Sequence, residues 1–479
     1  MAREFIYLIP EMIVLATGLL ILVLDLVVSE RPKPLILAWT AIAGLATAAG
    51  FAINLLGERA TVMADMFVID SFGIVFKIIL LAGSALSILL AVGFLQKPKS
   101  RSGEYYFLIL ASTLGMMIMT GASNLLLAFL GIQLTSIPLY ILAGFKRNDM
   151  KSNEAALKYF LLGVLTAAMM IYGMSMVYGL TGSLNLSIIA GRLALIKPNN
   201  PVLFLGMVFI IAGFSFKIGA VPFHFWAPDV YEGSPTSVTA FIAAVPKIAG
   251  FAVLARLVFT AFPAFTTEWA GLIALMAVLT MVTGNILAIP QKNIKRMLAF
   301  SGIAHVGYAM IALAVPGQNA LGSLAFYLMA YSAMTIGALS VVVAVGRVTH
   351  EHEIDGFAGL GTRAPLLAAA MTAFLLSMLG FPLTAGFTAK FLVFGAAIEN
   401  HYLWLALIGV ANSVISLYYY FGVVKQMYFV PAQSSTKINV SVLVWAVIGI
   451  TLVVTFGLGI YPEPIIHLTR NVFVLFTRF

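Results

Sequence analysis

From Phe5 to Tyr461 the chain is a succession of apolar runs, and that feature constrains its fold more than any other. A helix rises about 1.5 Å per residue, so roughly 20 apolar residues cross a hydrocarbon core of about 30 Å. Breaks at polar, Gly or Pro residues divide the chain into fourteen expected spans of about that length or longer, at 5–28, 35–56, 71–95, 104–121, 122–145, 153–180, 201–230, 236–260, 268–289, 294–315, 319–347, 365–398, 401–429 and 440–461. The composition agrees: 62% of residues are hydrophobic and 9% charged, against about 25% charged in a soluble domain. A soluble enzyme, a disordered chain and a nucleic-acid binder are excluded. The expected fold is an all-α polytopic membrane protein.

Cysteine is absent, so this chain can supply no disulfide, thiolate zinc site, cysteine-ligated iron–sulfur cluster or c-type haem. No Walker A sequence or dinucleotide fingerprint is present, so no cofactor or metal site is expected in the chain, and the driving energy is expected to come from outside it. The opening Met1-Ala2-Arg3-Glu4 runs into apolar sequence without a small-residue cleavage site, which predicts a retained helix.

The seventh and twelfth spans are too long to cross once: about 30 and 34 residues would reach roughly 45 and 50 Å. Each contains a breaker, Lys217-Ile218-Gly219-Ala220-Val221-Pro222 in one, Gly380-Phe381-Pro382 and Gly386 in the other. Irregular backbone at membrane depth persists only where protein or a wet cavity surrounds it. Two interrupted segments five helices apart predict a pair of structural repeats with the transport path at the breaks. An odd count of helices per unit makes the repeats inverted. The expected organisation is 1–103 for helices 1–3, 104–260 for the first repeat, 268–429 for the second, and 440–479 for helix 14 and the tail.

Loops after odd-numbered helices hold Arg31, Lys33, Lys97, Lys99, Arg101, Lys146, Arg147, Lys151, Lys292, Lys295, Arg296, Arg347, Arg363 and Lys437; the others hold Arg59, Arg192 and Lys197. The positive-inside rule therefore places the odd loops in the cytoplasm and both termini outside. The net charge of +9 is then mostly a topology signal.

A charge at the bilayer centre costs at least about 2.5–3.5 kcal/mol and marks an ion path. Lys247 lies near mid-depth of helix 8, Lys217 and Lys390 beside the two breaks, and Lys158 toward the cytoplasmic end of helix 6. Together they predict a proton relay; Lys77, near one end of helix 3, reads as a structural or snorkelling residue. Lysine suits a relay because its proton affinity responds by several units to burial and to a nearby carboxylate. A membrane potential near 180 mV demands about 4 kcal/mol per charge, or roughly three pKa units. Ser301, His305 and Tyr308 share one face of helix 10, and His224 follows the first break, so both histidines are candidates for the path. The run His350-Glu351-His352-Glu353-Ile354-Asp355 lacks the spacing that puts two imidazoles on one helix face and reads as a solvated charged loop.

The run Phe214-Ser215-Phe216-Lys217-Ile218-Gly219-Ala220-Val221-Pro222-Phe223-His224-Phe225-Trp226-Ala227-Pro228-Asp229, continuing to Thr236, resembles the signature of the antiporter-like subunits of respiratory complex I. Ala243-Ala244-Val245-Pro246-Lys247-Ile248-Ala249 resembles the subunit N branch, counterpart of mitochondrial subunit 2. The opening Ile9-Pro10-Glu11, the stretch Leu157 to Gly163 and Gly386-Phe387-Thr388-Ala389-Lys390-Phe391 agree. The resemblance implies a proton channel in the bacterial inner membrane, in the membrane arm of an NADH:quinone oxidoreductase. Its partners would be the other membrane-arm and peripheral-arm subunits and the bilayer, with flavin, iron–sulfur clusters and quinone in other subunits. It also implies relay positions at Lys217, Lys247, Lys390 and Lys158. The family's helix 5 glutamate falls on Gln133, which can accept a hydrogen bond but cannot hold a negative charge. Either this subunit pumps with a weakened switch or not at all, or another acid takes over; Glu154, four residues before Lys158, reads equally as that acid or as a helix N-terminal acid at the membrane surface. A subunit of a multisubunit cation/proton antiporter is the alternative of the same fold.

Overall fold

The computed structural model describes residues 2–29, 33–96, 101–196, 200–349, 352–432 and 438–474. Arg31, Lys97, Lys99, Lys197, His350, Glu351 and Lys437 lie outside them. Helices α1 (Ala2–Tyr7), α2 (Ile9–Val27), α3 (Lys33–Asn54) and α4 (Ser71–Leu95) open the chain, with a two-stranded ribbon, β1 (Ala60–Val62) and β2 (Phe67–Ile69), before α4. Then come α5 (Ser102–Gly121), α6 (Leu125–Ala143), α7 (Met150–Thr181), α8 (Leu186–Leu193), α9 (Pro201–Ile218), α10 (Trp226–Gly233) and α11 (Thr236–Ala261). The remainder is α12 (Thr266–Ala288), α13 (Ile294–Ala314), α14 (Gln318–Thr349), α15 (Leu360–Arg363), α16 (Pro365–Leu379), α17 (Ala385–Glu399), α18 (Leu403–Phe429), α19 (Val442–Ile460) and α20 (Glu463–Val474).

Among the described residues, 13 helices are long and apolar enough to cross a membrane. The protein is a helical, multi-pass membrane protein. The long span expected at 365–398, with its internal breaker, is two helices of 15 residues each. Gly380 causes the interruption: it adopts φ 97°, which L side chains avoid, and its N–H closes the end of α16 on Leu376 and Ser377. Gly386 then lets the chain return so closely that a Cβ there would overlap the Ser377 carbonyl. The span expected at 201–230 likewise stops at Ile218, where Gly219 (φ 79°) terminates α9. The β-ribbon stands where the apolar pattern predicts no element; antiparallel pairing joins Ala60 to Ile69 and Val62 to Phe67.

The core lies around α11, α13 and α14, whose apolar stretches are almost wholly enclosed by the other helices. Peripheral helices such as α2, α7 and α18 bury one side and turn Leu, Val and Phe outward, as expected of lipid-facing surfaces. Lys77 is buried and paired with Glu11 at 2.6 Å, so its charge is neutralised within the N-terminal helices. In the described part of the charged loop Glu353 and Asp355 are exposed, as a solvated run requires, while Ile294 N–H donates to the His352 carbonyl (2.8 Å) and Ile354 N–H to the Lys292 carbonyl (2.7 Å). Those two bonds dock it against the start of α13.

Candidate functional site

Three of the expected lysines are buried in the bundle, each on a different element, and their hydrogen-bond partners are neutral. Lys217, in the last turn of α9, donates to Ser136 Oγ on α6 at 3.0 Å. Lys247, in the middle of α11, donates to the Gly302 carbonyl of α13 (3.2 Å) and to Tyr331 OH of α14 (3.1 Å). Lys390, on α17, donates to the Leu379 carbonyl (2.9 Å) and to Ser413 Oγ (3.1 Å). The broken helices place two of these. Where α16 stops, its last carbonyls lose their intrahelical partners, and Lys390 caps one of them. Where α9 stops, Trp226 Nε1 takes the Phe216 carbonyl (3.0 Å), leaving Lys217 free to reach α6.

Between Lys247 and Lys390 runs a continuous string of rings. The His305 ring lies 5.3 Å from Tyr331, the partner of Lys247, and 5.7 Å from Tyr308; Lys390 Nζ sits 4.6 Å above the Tyr308 ring. His305 Nδ1 meets Tyr327 OH at 2.7 Å and Nε2 meets Tyr420 OH at 3.3 Å, and Tyr420 in turn bonds Ser301. Asn285 ties Tyr308 to Asn412 and accepts from Tyr419 (2.9 Å). His305 touches Tyr331 and Tyr308 by ring packing, and Tyr331 OH donates to the Ala243 carbonyl (3.1 Å); the hydrogen bonds run through Tyr327, His305, Tyr420 and Ser301, groups that can both donate and accept. Sequence analysis marked Ser301, His305 and Tyr308 but missed Tyr327, Tyr331 and Tyr420. Tyr327 and Tyr331 stand four apart on α14, a same-face spacing that was available as a signal.

The other expected residues lie elsewhere. Gln133 is half-buried on α6, one turn before Ser136. His224 is buried in the segment between α9 and α10, its ring 4.4 Å from that of Phe225. Lys158 is not in the interior: its side chain is 42% exposed, and it pairs with Glu154 and Asp229, each at 2.6 Å. Asp229 also binds Arg296 (2.6 Å), and Glu232 binds Arg296 (2.9 Å) and Lys151 (2.8 Å). Buried Lys295 donates to the Glu232 and Ser234 carbonyls, both at 2.7 Å. The short α10 thus carries two carboxylates that knit the starts of α7 and α13 into one network.

Two interrupted helices, each placing a buried lysine beside its break, with a third lysine buried between them in sequence, define the class: an antiporter-like membrane subunit. The family model described as NADH:quinone oxidoreductase/Mrp antiporter, TM matches residues 122–416. NADH-quinone oxidoreductase subunit N of Trichlorobacter lovleyi is 42% identical over 465 residues, 96% of this chain and 95% of the relative. A chain of respiratory complex I from Thermus thermophilus superposes with a TM-score of 0.82 at 31% identity, covering 96% of this chain and 99% of that one. A chain of the Mrp complex from Dietzia sp. reaches a TM-score of 0.87 at 18% identity, covering 99% of this chain and 98% of its own, and shares the fold alone. The chain belongs to the NADH-quinone oxidoreductase subunit N family.

Proposed function

We propose that this chain is a proton-translocating subunit of the membrane arm of NADH:quinone oxidoreductase. Electron transfer from NADH to quinone occurs on flavin and iron–sulfur centres of other subunits, and this chain answers it by moving protons. The observation that carries the reading is the set of three buried lysines with neutral partners, two of them flanking the ring cluster of Tyr331, His305 and Tyr308. An ammonium in such surroundings has no fixed counter-charge, so one charge arriving nearby can change its proton occupancy by the several kcal/mol that pumping requires. Lys217 would receive the proton, Lys247 hold it centrally and Lys390 release it. His224, Lys158, Glu154 and Gln133 would act around the entry.

In this reading α16 and α17 together make one discontinuous span and α9 with α10 another, giving about fourteen crossings. Residues 104–260 and 268–429 form two inverted repeats, flanked by 1–103 and 440–479. The chain sits in the bacterial inner membrane with both termini on the outer side, as the basic loops support. Two measurements test this. Lys247→Ala in the assembled complex should lower proton pumping and quinone reduction together, because coupling binds the steps; normal pumping would remove Lys247 from the path. A cysteine placed near Lys292 should react only from the cytoplasm and one near Arg59 only from outside, and the reverse pattern would overturn the orientation.

A further inference from the structure

A cavity of about 300 Å³ opens at the basic face between the ends of α4 and α14 and the start of α11. It is apart from the buried lysines, and its polar lining is Lys146, Arg347, the His352 imidazole, and the hydroxyls of Thr236 and Ser237. Among the described residues no carboxylate lines it. Two nitrogen atoms are buried there without a hydrogen-bond partner among the described residues: Arg347 Nη2, a donor, and His352 Nδ1, a donor in the tautomer whose Nε2 accepts from Thr236 Oγ1. Leaving such buried groups unpaired is costly, and more so for a charged one. His352 Nε2 already meets Thr236 Oγ1 at 3.5 Å, and Ser237 is engaged by Tyr105 OH at 2.9 Å, so the hydroxyls do not relieve the two unpaired atoms.

The cavity is shaped around these side chains. A Cβ on Gly93 would overlap the Arg347 guanidinium, and one on Gly346 would come within 2.7 Å of the His352 ring. Two helices therefore give up side chains to seat two donors. A guanidinium fork matches a tetrahedral oxyanion in two places at once, and the first turn of α11 adds the positive end of its peptide dipoles. The depth also fits, because Leu90 and Phe94 near the end of α4 and Val343 near the end of α14 line the same cavity as the loop residue Lys146. That is the level where apolar helix gives way to water and lipid headgroups lie.

We infer that this cavity is an anion site for a phosphate group, held by Arg347, His352 and Lys146. The phosphate can come from a lipid headgroup or from solution. The chain has no cysteine, so Val343→Cys places one thiol of this chain in the cavity wall, and assembly is checked by NADH-driven quinone reduction. The intact complex is reconstituted in phosphatidylcholine bilayers and labelled at that thiol with N-ethylmaleimide. One arm replaces chloride by inorganic phosphate at equal ionic strength; the other adds phosphatidylglycerol to the bilayer. An occupant at ten times its dissociation constant should slow labelling by about tenfold. Slowing by phosphate assigns a soluble anion, and slowing by phosphatidylglycerol alone assigns a lipid headgroup. Adding Arg347→Gln should abolish the protection, as should Gly93→Ala, which crowds the guanidinium and serves if the first variant does not assemble. Equal rates in both arms, or protection that survives these changes, would overturn the site and leave a cavity filled by water.

Discussion

The two helix breaks interrupt the same kind of element, but different groups satisfy them. At the end of α9 an indole, Trp226, takes the freed Phe216 carbonyl, and Lys217 reaches across to Ser136. At the end of α16 the lysine itself, Lys390, takes the Leu379 carbonyl while also bonding Ser413. The surroundings differ in the same sense. Just beyond the first break, Asp229 and Glu232 on α10 fix Lys158, Arg296 and Lys151 in ion pairs. Around the second lie tyrosines, serines, asparagines and His305. An ion pair ties each charge to one partner, whereas neutral hydroxyls and amides can exchange donor and acceptor roles. Around the two breaks, the fixed charge pairs lie at the basic edge and the interior lysines are left to groups that can change roles.

The sharpest way to break that contrast is Tyr331→Phe, which removes the hydroxyl between Lys247 and the His305 ring without emptying the space. A hydrogen bond to a charged group is worth about 1.5–3 kcal/mol, so pumping should fall by about tenfold while thermal stability of the complex stays nearly constant. Unchanged pumping would place the path elsewhere. Next in size is Gln133→Glu, which puts a carboxylate one turn from Ser136 and should change the proton affinity of Lys217 by about 1–3 units. The proton-to-electron ratio in vesicles should rise. Glu154→Gln should have the same small effect with or without it, since Asp229 still holds Lys158; strong non-additivity would instead couple Glu154 to the path.

Smaller again is Asp229→Asn, which loosens the edge network. Partly exposed pairs of this kind contribute roughly 1 kcal/mol at most, so a modest fall in Tm with pumping largely retained is expected. Loss of pumping at unchanged Tm would show that the edge takes part in transfer. The smallest effect belongs to His352. Burial, then the charges of Lys295 and Lys146, push its imidazole from 6.5 down to about 4. The folded protein therefore keeps this ring neutral where the unfolded chain would protonate it. Its contribution to stability is complete above pH 6.5 and is lost as the pH falls through about 4. His352→Gln should flatten Tm against pH across that window, and an unchanged slope would assign the dependence to other groups.

How much of this was legible in the sequence depended on contrast. A lysine within an apolar run stands out, and Gly-Pro clusters mark breaks, so Lys217, Lys247 and Lys390 could be found one residue at a time. Tyr327 and Tyr331 offered only their four-residue spacing, which is unremarked among Leu and Phe, and Tyr420 offered nothing, because these meet His305 only through packing of α13, α14 and α18. The ion pairs of α10 hid for another reason. Asp229 lay inside a recognisable motif, but its partner Arg296 is 67 residues away and read as a topology signal. The β-ribbon was invisible because Met63, Ala64 and Asp65, at φ 57°, 53° and 62°, make its turn without the Gly or Asn that usually announces one.

Lys247 has a consequence for how the protein is made. Its hydroxyl partner, Tyr331, lies 84 residues further along the chain, and ribosomes add about 5–20 residues per second. For something on the order of 4–17 s the newly inserted α11 must wait in the membrane with its ammonium unmet by that partner. The insertion machinery, or an early neighbour such as α4 or α9, has to shelter it until α14 arrives. The residue at the centre of transport is therefore also the point at which biogenesis is most exposed, and a slow or truncated second half would leave that helix as the first target for quality control.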